Sequence, residues 1–210
     1  DLLLYARNLP KLAKWLKLYK LEGRYSIENI TTYGDISHDA VINFVGVGDP
    51  AALKNMDSSI LDITAKYDDL ILNRLKKNPS RKYIFLSSGA VYGSNFESPV
   101  SHLTHSSINV NNLNINQHYS VAKLYAECKH RALKDLSIID LRIFSYFSDS
   151  TNLNSKFFLT DIISSIKSKQ VLETSQDDMA RDYLHKLDFL QMVQKILIAP
   201  QSNEAFDCYS

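Results

Sequence analysis

Within the stretch QHYSVAKLYAECKH, residues 117 to 130, Tyr119 and Lys123 stand four positions apart. On a helix this is one turn, so both side chains leave the same face, and an ammonium can sit near a tyrosine hydroxyl or near a ligand held against both. A phenol has a reference pKa of about 10, and a neighbouring cation favours the phenolate, moving the group toward proton exchange at neutral pH. The same spacing is found on ordinary amphipathic helices, so its meaning depends on what else the chain supplies. A second candidate lies in RKYIFLSSGAVYG, residues 81 to 93, where the apolar run ends at Leu86 and Ser87, Ser88 and Gly89 follow. Both serines then stand at the carboxyl end of a buried strand, the edge at which open α/β sheets bind ligands. A serine there can hydrogen-bond a substrate carbonyl oxygen while a tyrosine delivers the proton. The simpler alternative is a polar strand exit followed by a glycine turn.

The elements that must position these residues are apolar runs alternating with amphipathic segments, the pattern of an α/β protein with a mostly parallel sheet. The runs are LLLYA from Leu2, AVINFVGV from Ala40, KYIFLSS from Lys82, SIIDLRIF from Ser137 and AFDCY from Ala205. Their near-continuous Val, Ile, Leu and Phe predict strands buried on both faces. PKLAKWLKLYK opens with a proline suited to a helix start, and Leu12, Trp15, Leu16 and Tyr19 share one face. SSILDITAKYDDLILNRLKK places Ile60, Ile63, Tyr67, Leu70 and Ile71 on one stripe and stops at NPS. Further helices are expected over 119–135, 156–169 and 188–198, and the Asn- and Ser-rich segment 105–117 reads as a long loop leading into Tyr119.

Composition narrows the function classes. The chain has 210 residues, 45% of them hydrophobic, enough to bury a substantial core. Its net charge of +1 predicts neither a nucleic-acid nor a membrane partner, which leaves a small molecule. Cys128 and Cys208 are far apart and lack CxxC spacing, so no disulfide framework or zinc site is expected, and a reducing cytoplasm fits. His102 and His105 in HLTH lack a third nearby ligand, and we assign no metal. No apolar run is long enough to span a bilayer, and DLLLYARNLP lacks the features of a signal peptide. The NIT at 29–31 matches a glycosylation sequon, but nothing indicates secretion.

Four motifs in order resemble the extended short-chain dehydrogenase/reductase family, in particular its nucleotide-sugar epimerase/dehydratase branch, over residues 40 to 188. SSGAVYG looks like the family's serine strand, YSVAK like its Tyr-xxx-Lys motif, LRIFSYFS like its LRYFN strand and loop, and RDYLHKLD like its RDfvHVdD element. The resemblance implies a Rossmann-like, doubly wound parallel sheet. It assigns residues 1–150 to an NAD(P)-binding core and 151–210 to a partial substrate-binding region interleaved with the last strands. It implies Ser88 and Tyr119 as catalytic groups, Tyr119 being the general acid/base, with Lys123 lowering its pKa and holding the nicotinamide ribose. Val45, Gly46 and Phe144 are expected to line the cofactor. Ser145 and Arg181 are expected to contact substrate, Arg181 at the diphosphate, where a guanidinium suits bidentate contact. Tyr92 is either a substrate or cofactor contact or a core residue, His118 either lines the cleft or helps start the helix, and His185 is expected on a buried segment.

Two departures shape the expected chemistry. The family's GxxGxxG loop is absent: the six glycines stand at 23, 34, 46, 48, 89 and 93, and in GVGDP the Asp49-Pro50 pair spoils a turn into a phosphate-binding helix. We therefore read LLLYARN as the second strand of the fold, with the first βα unit lacking. Arg7 and Asn8 then occupy the position that selects the cofactor, and Arg7 predicts NADP, with NAD possible. The family's dehydratases carry an acidic pair after the catalytic Ser/Thr, where this chain has Gly89 and Ala90. Dehydration is thus disfavoured, leaving reduction of a nucleotide-linked keto sugar or epimerisation. A non-catalytic relative that binds a nucleotide or protein is the alternative, and a homodimer is possible on the family's precedent.

Overall fold

The computed structural model describes residues 1–46, 53, 55–93, 99–101, 103–155, 157–176 and 181–209. Its elements in chain order are β1 (Leu3–Ala6), α1 (Leu9–Leu18), β2 (Ser26–Asn29), β3 (Ala40–Asn43), α2 (Ser59–Leu75), β4 (Lys82–Ser88), α3 (Ile115–Ala132), β5 (Ser137–Ile143), β6 (Tyr146–Phe147), α4 (Phe158–Ser168), β7 (Leu184–His185), α5 (Lys186–Ile198) and β8 (Asn203–Cys208). All five expected apolar runs form strands. Gly48, Asp49 and Pro50 of GVGDP, and His102, lie outside the described residues.

β3, β4, β5 and β8 form one parallel sheet in that order. β4 and β5 are central and carry the longest apolar runs, and their side chains divide between two covers. Tyr83, Phe85 and Ile138 pack with Ile71, Leu72 and Leu75 of α2 and Ala126 of α3. Ile84, Ile139 and Leu141 pack with Val193 of α5 and with Leu184. This is the three-layer arrangement of a doubly wound α/β fold. β1 and β2 form a separate parallel pair, and no ladder joins β1 to β3 among the described residues. Tyr5 of β1 and Val41 of β3 nevertheless pack on one core cluster. The unjoined position between them is where a first strand falls when β1 is read as the second.

The structure departs from the sequence patterns in four places. α2 buries Ile60, Thr64, Asp68, Ile71, Leu72 and Leu75, while Ile63, Tyr67 and Leu70 are only half-buried. The stripe turns because Asp68 is received by polar partners on α3 and β4: His130 Nε2 lies 2.8 Å from its Oδ1, Tyr83 Oη donates to the same oxygen over 2.9 Å, and Lys129 Nζ donates to Oδ2 over 2.9 Å. α3 begins at Ile115, four residues before the expected start. His185 is exposed and accepts a hydrogen bond from Leu187 N as the cap of α5, so it is not on a buried segment. In α1 only Leu16 is fully buried, and Trp15 and Tyr19 of the expected core face remain exposed.

No helix among the described residues is long and apolar enough to cross a membrane.

Candidate active site

Parallel pairing of β4 with β5 in the register Ser88↔Ile143 ends the two strands level, so Ser88 and Phe144 leave the sheet side by side. Ser88 caps a short 3-10 turn, Gly89–Tyr92, by accepting from Ala90 N over 3.2 Å. Gly89 is required there: a Cβ would lie 2.4 Å from Cδ1 of the Phe144 ring. α3 runs back across the same sheet face and brings Tyr119 and Lys123 to the strand ends. Together with the turn after β3, these segments enclose a cavity of about 770 Å³. Ser88, Tyr119, Lys123, Val45, Gly46, Phe144, Ser145 and Arg181 all line it.

Lys123 is only 3% exposed. Its Nζ donates to the Leu86 carbonyl over 2.6 Å and sits 4.4 Å from the centre of the Phe85 ring and 5.7 Å from that of Tyr119. Gly46 stands against it, where an added Cβ would come within 3.4 Å of Nζ. Burial pulls the lysine down to about 8, opposed by the carboxylates of Asp140, Asp68 and Glu127. Burial likewise raises the Tyr119 phenol above its ordinary value, opposed only by the Ser88 hydroxyl, so the expected lowering by Lys123 is not found. Ser88 and Tyr119 thus face one cavity together with the buried ammonium of Lys123.

The remaining candidates lie elsewhere. Tyr92 Oη accepts from Arg142 Nη1 over 2.5 Å and donates to Asp207, facing a second cavity of about 710 Å³ lined by residues of β5 and β8. His118 Nδ1 lies 3.1 Å from Asp57 Oδ1 and does not line the Tyr119 cavity. Asn8 is used as the cap of α1, its Oδ1 accepting from Lys11 N over 2.9 Å, and Arg7 beside it is exposed.

Two features of the site lie outside the sequence motifs. One is an aromatic wall made of Phe44, Tyr146, Phe157, Phe158, Tyr183 and Phe189, drawn from four separate segments. The other is Glu127, one turn beyond Lys123, which accepts from Ser87 Oγ over 2.5 Å and accepts from Arg142 Nε at Oε1 over 3.1 Å and from Nη2 at Oε2 over 2.6 Å. Extending the Tyr-xxx-Lys spacing by another four residues would have found it.

Residues 9–209 match the sequence model of the NAD dependent epimerase/dehydratase family. The chain belongs to that family. No curated protein sequence matches it. Among solved structures it is similar to RMD from Pseudomonas aeruginosa, complexed with NADPH, at a TM-score of 0.69 and 19% identity over 100% of this chain and 78% of that one. It is also similar to the UDP-N-acetylglucosamine 4-epimerase from Methanobrevibacter ruminantium in complex with UDP-N-acetylmuramic acid, at a TM-score of 0.74, 18% identity and 89% and 62% coverage. A third is the DesIV double mutant, a dTDP-glucose 4,6-dehydratase from Streptomyces venezuelae with NAD and DAU bound, at a TM-score of 0.76, 12% identity and 99% and 65% coverage. At these identities the likeness is one of fold, and the chain spans 62 to 78% of these three relatives.

Proposed function

We propose that this chain carries the catalytic part of an NADP-dependent enzyme that reduces a nucleotide-linked keto sugar, with Tyr119 as proton donor. The observation that carries the reading is the convergence of Ser88, Tyr119 and the buried Lys123 on one cavity. The residues present suit the nicotinamide ribose: a cation, two hydroxyls and the bare backbone of Gly46 line one wall. NADPH, when bound, supplies the hydride. The Ser88 hydroxyl orients the substrate carbonyl against the Tyr119 hydroxyl, which gives its proton to the oxygen as negative charge develops there. Lys123, fixed by the Leu86 carbonyl, offers its remaining N–H bonds to a ribose and stabilises the phenolate that Tyr119 becomes. Arg181 lines the same cavity and is the group suited to a diphosphate.

The absence of an acid at positions 89 and 90 argues against elimination of a hydroxyl, and the Phe144 ring fills the space that a side chain at 89 would need. Epimerisation uses the same groups with the hydride returned in one turnover; Arg7 favours net reduction because its guanidinium suits a 2′-phosphate. NADPH oxidation with a panel of nucleotide-linked 4-keto sugars tests the proposal. Turnover that falls at least about 100-fold in Tyr119→Phe is expected. Turnover with no keto sugar, or turnover unchanged by Tyr119→Phe, overturns it.

A further inference from the structure

The basic residues of the chain are not evenly spread. Between Arg7 and Arg24 lie six Lys or Arg and a single acid, Glu22, a net of +5 against +1 for the whole chain. Four of them, Lys11, Lys14, Lys17 and Lys20, recur at every third position along α1 and just beyond it, and all four are exposed. None of the four has a salt-bridge partner among the described residues, whereas Lys129, Arg131, Arg142 and Lys186 each hold a carboxylate. Two large apolar side chains share this outer surface. Leu18 is 73% exposed, and Trp15 is 46% exposed with its ring 4.8 Å from that of Tyr19. At 3.6 residues per turn, Leu18 falls between Lys11 and Lys14 around the helix, with Trp15 beside Lys11. The inner side is already satisfied by Leu16, so these outer residues are surplus to the core.

We propose that the outer face of α1 docks reversibly on an anionic lipid surface, Lys11, Lys14 and Lys17 meeting the headgroups and Trp15 and Leu18 entering the headgroup boundary. A lysine row alone would suit any polyanion. Leu18 and Trp15 decide among them, because a phosphodiester backbone engages the lysines and leaves these apolar side chains in water, while a bilayer interface takes both. Whole-chain charge conceals the surface, since acids elsewhere balance it. The face contributes no residue to the cavity of Ser88, Tyr119 and Lys123, so the proposal stands apart from the catalytic reading.

Trp15 is the only tryptophan of the chain, so its emission reports on α1 alone. Titrating the full chain with vesicles of equimolar phosphatidylcholine and phosphatidylserine at low ionic strength should shift that emission to the blue, and vesicles of phosphatidylcholine alone should not. Each lysine near the surface contributes about fivefold to partitioning. Lys14→Gln/Lys17→Gln should therefore weaken it about 25-fold, and Leu18→Ser should reduce the blue shift while leaving electrostatic attraction. All three positions are exposed, so the folded state should be retained, which circular dichroism checks. No shift with the anionic vesicles, or an equal shift with neutral ones, overturns the proposal. Tight binding to duplex DNA at the same ionic strength without vesicle binding overturns it in favour of a nucleic acid.

Discussion

Replacing His130 removes a cation from between two carboxylates that water does not reach. The ring is 0% exposed, with Nδ1 2.6 Å from Asp140 Oδ1 and Nε2 2.8 Å from Asp68 Oδ1, so both nitrogens carry protons when it is charged. Burial alone would lower its pKa, but the hydrogen bonds and charges of Asp140 and Asp68 outweigh it and hold the imidazole at about 9, against 6.5 in a free chain. A raised pKa means that the folded state keeps a proton the unfolded state has lost. The stabilisation is complete below pH 6.5 and drains away as pH rises toward 9, at about 1.4 kcal/mol per pH unit. Lys123 acts in the opposite sense above about 8, where the folded state sheds its proton before the unfolded one does. The clean window therefore runs from pH 6.5 to 8, where urea unfolding should show a loss of about 2 kcal/mol. His130→Gln should cost about 1 to 3 kcal/mol at the acid end of that window, because Asp68 and Asp140 lose the charged donor between them and keep only Lys129 and Arg131, one on each. The His130 ring resonance in NMR gives the pKa directly. A midpoint near 6.5, or stability that stays flat across the window, refutes the reasoning.

Three further outcomes test the site and its supports. Arg7→Asp should move binding preference from NADPH toward NADH, measured as the ratio of their Kd values, and an equal ratio in both proteins would remove Arg7 from cofactor selection. Binding of NADPH that uses the Lys123 ammonium should weaken as pH passes about 8, where the lysine deprotonates; a Kd constant through that range would mean the ammonium is not a contact. Gly89→Ala forces a methyl to within 2.4 Å of the Phe144 ring and should lower stability by about 1 to 3 kcal/mol in thermal unfolding. Adding Phe144→Ala should then cost less in that background than in the wild type; strictly additive losses would show that the two residues do not compete for space.

Local pattern revealed some elements and concealed others for identifiable reasons. β4 and β5 are legible because a strand covered on both sides carries an apolar run, YIFL at 83–86 in β4 and, interrupted only by Asp140 and Arg142, IIDLRI at 138–143 in β5. β2, with the sequence SIEN, is not: it pairs only with β1 and needs no apolar run to do so. The start of α3 is hidden because the Asn-rich approach to Tyr119 has turn chemistry, yet Ile115 already lies in the helix. α2 shows the limit most clearly. Periodicity places Ile63 and Tyr67 inward, but Asp68 is paid for by His130, 62 positions away, and no local window contains that pairing.

The candidate site divides along the same line. Ser88, Tyr119 and Lys123 were readable because each sits at a fixed position of an element whose own pattern was clear, a strand exit and two points one helical turn apart. Residues assigned by adjacency fared differently. Tyr92 follows Ser88 closely in the chain, yet it reaches across to Asp207 of β8 and Arg142 of β5. His118 precedes Tyr119, yet one helical step of about 100° carries it out of the cavity to Asp57. Elements with a strong period thus transmit position to their side chains, and neighbours in sequence share a site only when the period returns them to the same face.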